Sequence, residues 1–526
     1  MQGRTESSLS IWTAFNNLTT ASSRPVRWTL NISWTRVQGN VSYATVGTSL
    51  VGGIDIIQGN TDVVTSPDNF TYFDETDRLI KLDYDRILIE PLGGISSTIM
   101  DCELNNFDGR FTPQSNGTIG TAILPNRPLT AHIGFFMEGI KKTVPIFKGL
   151  TEMPEESKAS GKIKIHAVDF VKFLQTATLD GKTYVDNRTD AIISDILITA
   201  GFASDQFVTE TGLNTVGYAY FNKDQSAFDR IKLLCEAEEG LFYQDENGVL
   251  RFETRRHFIA PPHNTSVWDI NSDDIIQWEE RQRQKIYNHV IVKSLPREVQ
   301  ATAVIWTSGS EVRVKANETK DVWARLDDPA TELTTLATPT DYTAFTGTAG
   351  GGSDISGDQS IVQSLLGTDV KLSITNNNAS DAFFNLLQIR GKAATVVGDF
   401  TEEATDTVSI NKFDIHELSL ENDFIQDESF AAYMAQSLVD KYGQPGRVLR
   451  LLVQGIPQIQ LRDRVKVTDI VTNVIKEYRV MRIQGMLEGG GFLQYLTIRE
   501  ITSFESQAFA VVGSTLVGAT EEFVGI

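Results

Sequence analysis

The feature that most constrains the fold is a recurrence. In the first half of the chain Pro125 and Pro128 precede a strand at 129–133, a turn, the run Ile146-Phe147-Lys148-Gly149-Leu150-Thr151-Glu152-Met153, a Gly-containing turn and a strand at 162–168. In the second half Pro457 precedes a strand at 459–467, a turn, a strand at 478–486 carrying Gly485, the turn Glu488-Gly489-Gly490-Gly491 and a strand at 492–498. Apolar and polar residues alternate with period two through both blocks. A chain that repeats such a block in the same order is expected to build two related tube-like β-barrels.

Most of the remaining sequence also reads as β, because Val, Ile, Thr, Phe and Tyr occur in short alternating runs between Gly, Asn, Asp and Pro clusters. Leu30, Ile32 and Trp34 form one such run; Leu79, Leu82, Ile87 and Ile89 belong to another. Three helices interrupt. One begins near Thr189 or Asp190, places Ile192, Ile193, Ile196 and Leu197 on one face and stops at Gly201, which tolerates left-handed backbone. A second begins at Ser226 with Asp229 as its capping partner and ends before Gly240; the third spans 428–442 and ends at Gly443. Strands at 241–244 and 249–254 then flank Asp245-Glu246-Asn247-Gly248, where Asn-Gly supplies the positive φ angles of a tight hairpin. Residues 296–410 are rich in Thr, Ala, Gly, Ser and Asn, with a flexible stretch at 347–358 and sandwich-like strands at 371–375 and 383–389.

The expected architecture is mainly β with a smaller α+β part, in several domains. Residues 1–74 form an N-terminal β-rich extension, 75–170 the first tube-like barrel, 171–280 an α+β domain with the helix and hairpin, 281–295 together with 411–503 the second barrel, 296–410 a β-sandwich-like insert, and 504–526 a C-terminal docking tail.

A length of 526 residues agrees with several cores rather than one. With 47 Lys+Arg against 68 Asp+Glu, a net of -21, the surface is unsuited to gripping phosphates, which argues against a DNA-binding protein. Cys102 and Cys235 lie in neither a CxxC nor a Cys/His spacing, so they are expected as buried thiols, with no disulfide framework and no zinc site. No basic segment leads into an apolar stretch at the N-terminus, and the most apolar run, near 508–518, is broken by Gly513, Ser514 and Thr515. Neither a signal peptide nor a membrane span is expected, and assembly in a host cytoplasm fits.

The segment Asp101-Cys102-Glu103-Leu104-Asn105-Asn106-Phe107-Asp108-Gly109-Arg110-Phe111-Thr112-Pro113 resembles the L-x-N-x-D-G-R-F-T-P run of minor tail and tail-hub proteins of tailed bacteriophages. The elements that follow that run in the family follow here in order: Pro145-Ile146-Phe147-Lys148-Gly149 and then Ala167-Val168-Asp169. Ile374-Thr375-Asn376 and Leu387-Gln388-Ile389-Arg390-Gly391 are similar to a later portion of the family, and Leu461-Arg462-Asp463-Arg464-Val465 with Tyr478-Arg479-Val480 resembles its final barrel. There Arg462 stands where the family commonly has Gly. The resemblance covers roughly residues 75 to 505. It implies a structural virion protein at the tail tip: a homotrimeric baseplate hub in which three chains with two barrels each imitate a six-fold ring. Such a hub adapts a hexameric tail tube to a three-fold tip and forms part of the DNA exit channel. The implied partners are the tail tube or distal tail protein, a central fibre or spike, the tape-measure protein, genomic DNA passing without specific binding, and the host cell surface. An acidic lumen would repel phosphates and ease their passage; the bland alternative is that the charge serves solubility.

Asn106, Asp108, Gly109, Arg110 and Pro113 are the candidate site residues, read as a structural turn that shapes the first barrel: Asn and Asp bond their own backbone and Gly109 takes positive φ. Their spacing lacks the distal Glu of an EF-hand calcium loop. His257 and His263 flank the stiff Pro261-Pro262 and are read as surface residues rather than metal ligands; His132, His166, His289 and His416 are read as satisfied strand histidines. No Gly-x-Ser-x-Gly elbow, Walker loop or His-Glu-x-x-His is present, and no cofactor is expected. The chain therefore reads as no enzyme. Two alternatives stay open. One is a receptor-binding adhesin whose insert grips cell-wall polysaccharide through Trp306, Trp323 and Tyr342, residues that could equally be core. The other is a tail-associated cell-wall hydrolase.

Overall fold

The computed structural model describes residues 26–36, 70–88, 94–112, 119, 123–137, 140–179, 181–221, 225–257, 260–282, 285–398, 400–488 and 491–501. Most of the N-terminal extension, Pro113, Ile89 and the docking tail at 504–526 lie outside the described residues.

The protein is mainly β. Fourteen strands form one sheet: β1 (Val26–Arg36), β2 (Phe70–Asp74), β3 (Leu79–Ile87), β4 (Thr98–Asn105), β5 (Pro128–Met137), β6 (Ile140–Thr151), β7 (Glu155–Ser157), β8 (Lys162–Val168), β9 (Trp268–Ile270), β10 (Ile275–Gln282), β11 (Arg447–Gln454), β12 (Arg464–Thr468), β13 (Ile475–Glu488) and β14 (Gly491–Glu500). The recurrence is visible in its connectivity. In the first half β3 pairs β4, β4 pairs β8, β8 pairs β7 and the end of β6, and β6 pairs β5. In the second half β10 pairs β11, β11 pairs β14, β14 pairs β13, and β13 pairs β12. With β6 and β7 together as the counterpart of β13, five strands recur in the same chain order and the same pairing order.

Ladder positions match as well, although the counterpart of the buried Tyr84 is the exposed Glu280. Tyr84 lies opposite Met100, and Met100 opposite Ala167; in the second unit Glu280 lies opposite Leu449, and Leu449 opposite Ile498. One rung along, Leu82, Cys102 and Ile165 correspond to Trp278, Leu451 and Leu496. The alternation read from the sequence is what makes this work: every second residue enters one shared core, and the residues between stay wet. The two units are not separate cylinders. They meet through β3 and β13, which pair antiparallel from Lys81 opposite Glu488 to Ile87 opposite Arg482.

The second core lies under the helices α1 (Val171–Thr176), α2 (Thr189–Thr199), α3 (Ala227–Glu238) and α5 (Glu428–Tyr442); the short α4 (Thr407–Phe413) buries Ser409. Helix α3 begins where expected, with the Ser226 side chain accepting from Asp229 N, and the Asp427 side chain caps α5 by accepting from Phe430 N. On α2, Ile192, Ile193, Ile196 and Leu197 are all fully buried, each such side chain contributing roughly 1.5–3 kcal/mol. In the 245–248 turn Gly248 has φ +84° while Asn247 does not enter the left-handed region; the Asp245 carboxylate closes the loop by accepting from Asn247 N at 3.0 Å and Val249 N at 2.9 Å.

Two expected boundaries move. Strand β10, expected inside the α+β domain, belongs to the second five-strand unit because it pairs β11. Conversely His289–Ser294, expected in the second barrel, pairs with Phe400–Thr405 and Glu417–Glu421, and Val290, Val292 and Leu420 pack with Met434 and Leu438 of α5. These apolar faces have α5 as their partner, so 285–294 and 411–442 join the helical core.

The insert is a sandwich of two layers around its own core. In one, the long strand Ala382–Val396 is flanked by Arg297–Val299, Ala303–Thr307 and Val312–Val314 on one edge and by Ala330–Leu333 and Tyr342–Phe345 on the other. The other layer is Thr319–Arg325, Asp369–Asn376 and Gln359–Leu366. Within the 347–358 stretch Gly350 and Gly352 take positive φ, and Ile355 and Ser356 fold back into burial.

Candidate functional site

The turn after β4 is closed by its own side chains. Asn105 Oδ1 accepts from Phe107 N at 3.0 Å, Asn106 Oδ1 from Phe111 N at 2.8 Å, and Asp108 Oδ1 from Arg110 N at 3.3 Å. Gly109 has φ +70°, where a Cβ would be strained. Asn106 is 5% exposed, and its Nδ2 donates to Thr112 Oγ1 at 3.2 Å and to Glu156 Oε1 of β7 at 3.1 Å. Two arginines tie the turn to the segment before β3: Arg110 of the turn pairs with the buried Glu75 (Nη2 to Oε1 2.9 Å), and Arg78 of that segment pairs with Asp108 (Nη2 to Oδ2 2.6 Å). The Arg78 hydrogen bond holds the Asp108 carboxyl below its usual range. Phe111, fully buried, is covered by both guanidinium groups at 5.7 and 5.9 Å from its centroid. The turn therefore staples β4 to the entry of β3 and to β7. Asn106, Asp108, Gly109 and Arg110 converge there, and Phe107 stands at its tip 79% exposed.

Asp169, at the end of the second resembling element, is fully buried and joins β8, β4 and α1 by accepting from Ser97 Oγ at 2.8 Å, from Thr98 N and from Val171 N at 3.2 Å. Burial pushes its carboxyl up to about 6.

The joint between the two units combines a buried contact with a half-exposed ion pair. Tyr84 lies over Gly485, so close that a Cβ there would sit 2.1 Å from the ring, and Gln494 Nε2 donates to its hydroxyl at 2.9 Å. Arg482 forms a two-pronged pair with Asp85, Nε to Oδ1 at 2.9 Å and Nη2 to Oδ2 at 2.5 Å, to which Gln484 adds a bond at 3.2 Å.

A third constellation, which sequence reasoning did not single out, fastens the 241–254 hairpin to the second unit. Arg462 takes the left-handed conformation (φ +69°) and is 7% exposed; its guanidinium pairs with Glu253, which also accepts from Tyr243 Oη at 2.7 Å and faces His257 Nε2 at 3.4 Å. His257 pairs in turn with Glu210 and stacks on His263 at 3.8 Å between centroids. The two histidines are thus half-buried members of an ionic cluster rather than surface residues. Next to Arg462, Asp463 accepts from Gln460 N at 2.7 Å; burial, and after it the nearby Glu246 and Glu253, raises its carboxyl to about 7. The signal for this cluster was the Arg at a Gly position.

The three insert aromatics occupy different settings. Tyr342 is 8% exposed and packs against Phe384 at 6.1 Å, Trp306 packs half-buried on the sandwich core, and Trp323, on the other layer, is 54% exposed. Cys102 and Cys235 are free, buried thiols, as expected. Among the described residues no helix is long and apolar enough to cross a membrane.

No model of a known protein family matches the sequence, and no curated protein matches it. Among solved structures the chain is similar to a tail protein from Neisseria meningitidis MC58, with 10% identity and TM-score 0.47 over 84% of this chain and 97% of that one. It is similar to the 43 kDa tail protein of prophage MuSo2 from Shewanella oneidensis, with 11% identity and TM-score 0.44 over 81% and 95%. A third is an E. coli component of the type VI secretion system described as structurally similar to the T4 bacteriophage tail proteins gp27 and gp5, with 7% identity and TM-score 0.34 over 81% and 74%.

Proposed function

We propose that this chain is a structural, non-catalytic virion protein: the homotrimeric hub of a bacteriophage tail tip or baseplate, which adapts a six-fold tail tube to a three-fold tip and lines part of the DNA exit channel. The observation that carries this reading is the doubled five-strand unit with identical chain and pairing order. Three copies of such a chain present six quasi-equivalent units, while everything outside the units, the helical core and the sandwich, repeats three times. A hexameric tube can then abut one side and a trimeric fibre or spike the other. The motif residues Asn106, Asp108, Gly109 and Arg110 act by holding the first unit in shape.

In this reading the tail tube or distal tail protein, the tape-measure protein and the central fibre or spike are the partners, and DNA slides through without being bound. A net charge of -21 suits that passage, because a basic lining would hold phosphates by releasing their counterions. The test is the mass and symmetry of the purified full chain: a trimer with a central opening supports the reading, and a monomer or a particle sealed at its centre rejects it.

A further inference from the structure

The joint between β3 and β13 is made in cis. The corresponding first strand of the second unit, β10, pairs only with β11 among the described residues, so its other edge carries unpaired N–H and C=O groups. The contrast with β3 is visible side chain by side chain: Leu82 and Tyr84 are 3% and 6% exposed, whereas at the matching positions Trp278 is half-buried and Glu280 is exposed. This eight-residue edge has no Pro and, among the described residues, no covering element, and its charges Glu279, Glu280 and Arg281 select for a strand of matching charge.

The repeat says which strand. In cis, Asp85 lies opposite Gln484, Tyr84 opposite Gly485 and Asp83 opposite Met486. Following the registers through the unit, Asp85 corresponds to Arg281, Tyr84 to Glu280 and Asp83 to Glu279. On the other side, Gln484 lies opposite Tyr495 as Glu155 lies opposite Lys164, so Gln484, Gly485 and Met486 correspond to Glu155, Glu156 and Ser157 of β7. Strand β7 pairs only with β8 among the described residues, which leaves its outer edge open too.

We propose that β10 of one copy pairs antiparallel with β7 of the next, Arg281 facing Glu155, Glu280 facing Glu156 and Glu279 facing Ser157, so that the cis joint is repeated in trans and three chains close a ring. The proposal rests on the trimer reading above and names its interface. The charges suit it: in cis Asp85 is bound by Gln484, directly opposite, and by the diagonal Arg482, and in trans Arg281 and Glu155, both exposed in the single chain, stand directly opposite each other. In the one like-charged rung both carboxylates are held by bonds within their own chain. Glu280 is bound by Arg447 (Nε to Oε1 2.5 Å), and Glu156 accepts from Asn106 Nδ2 at 3.1 Å and from Thr112. This gives the turn at 106–112 a second task, since it holds β7 in position at the seam.

The test uses the full chain and its charge reversals Arg281→Glu, Glu155→Arg and the two combined, with trimer fraction measured by mass photometry across a dilution series. Each single reversal is expected to raise the concentration needed for trimers by about ten-fold or more, because like charges then face each other at every seam. The double reversal restores the wild-type midpoint. A second measurement is independent of charge. The double variant Arg281→Cys/Glu155→Cys, oxidised, should run as a covalent trimer, since residues directly opposite in a ladder lie within disulfide reach. Unchanged trimers in both reversals, failure of the double reversal to rescue, or absence of the covalent trimer in a protein that still assembles overturns the seam and leaves the hub standing. A wild-type chain that stays monomeric overturns the hub reading itself.

Discussion

The joint between the two units can be probed at Gly485. Replacing it with Ala places a methyl group 2.1 Å from Tyr84 Cε1 and 2.4 Å from Cζ. The ring has nowhere to go: Tyr84 is 6% exposed, its hydroxyl is tied to Gln494 at 2.9 Å, and Gln494 is itself fully buried and accepts from Ile456 N at 2.6 Å. Overpacking of a tight core costs about 1–3 kcal/mol, and a contact this short in so constrained a place belongs at the upper end, about 3 kcal/mol. Tyr84→Ala alone should cost about 3–4 kcal/mol through the cavity it leaves. The double variant should cost no more than Tyr84→Ala by itself, since the added methyl enters the space the ring vacates. Urea unfolding of the three full-length variants gives these differences. Amide exchange at 81–87 and 482–488 reports whether the loss is at the joint. Additive costs, or a Gly485→Ala protein with native stability and unchanged protection in both strands, would refute the claim that the ring closes over this glycine.

Other expectations follow from the same geometry. Arg462→Gly releases about 1 kcal/mol of left-handed strain but leaves Glu253 buried without its guanidinium, a loss of about 3 kcal/mol at the low end for buried pairs because Tyr243 and His257 remain; the net, about 2 kcal/mol destabilising, should be largely recovered in Arg462→Gly/Glu253→Gln, as read by thermal unfolding. Stability should fall as pH rises from about 4 to about 7: Asp169 and Asp463, raised to about 6 and about 7, keep protons in the folded chain that the unfolded chain has released. The loss is about 3–4 kcal/mol per group. Asp169→Asn and Asp463→Asn should each remove its part of the fall relative to the wild type when unfolding is followed across that range, and a variant whose profile parallels the wild-type profile contradicts that assignment. Asn106→Ala, which removes the acceptor for Phe111 N and the donor to Glu156, should cost about 2 kcal/mol and expose the 106–112 turn to proteolysis.

Local features were legible in the sequence and long-range ones were not. Ser226 and Gly201 mark helix ends through bonds and angles that involve only neighbouring residues, so α2 and α3 could be placed closely. The repeat could be read because alternation and turn chemistry are also local. That Lys81 pairs with Glu488 could not, because nothing near either residue encodes a partner some four hundred positions away. For the same reason β10 was assigned to the helical domain and the 411–442 segment to the barrel: an amphipathic face states that it will be covered, not by what. In the motif the turn residues were recognised, but the buried Glu75 that receives Arg110 was not, since a glutamate in a polar stretch carries no mark of burial. Arg462 was noticed as an anomaly, and its left-handed backbone and buried pair explain why an arginine can stand at a glycine position.

In the proposed hub a doubled unit lets three chains imitate six. Cryo-electron microscopy of the purified full-length protein tests it most directly. The account expects a three-fold particle with an open centre, around which six copies of the five-strand unit alternate between 79–168 and 275–500. A monomer, a ring in which only one of the two units faces the opening, or an occluded centre would contradict it.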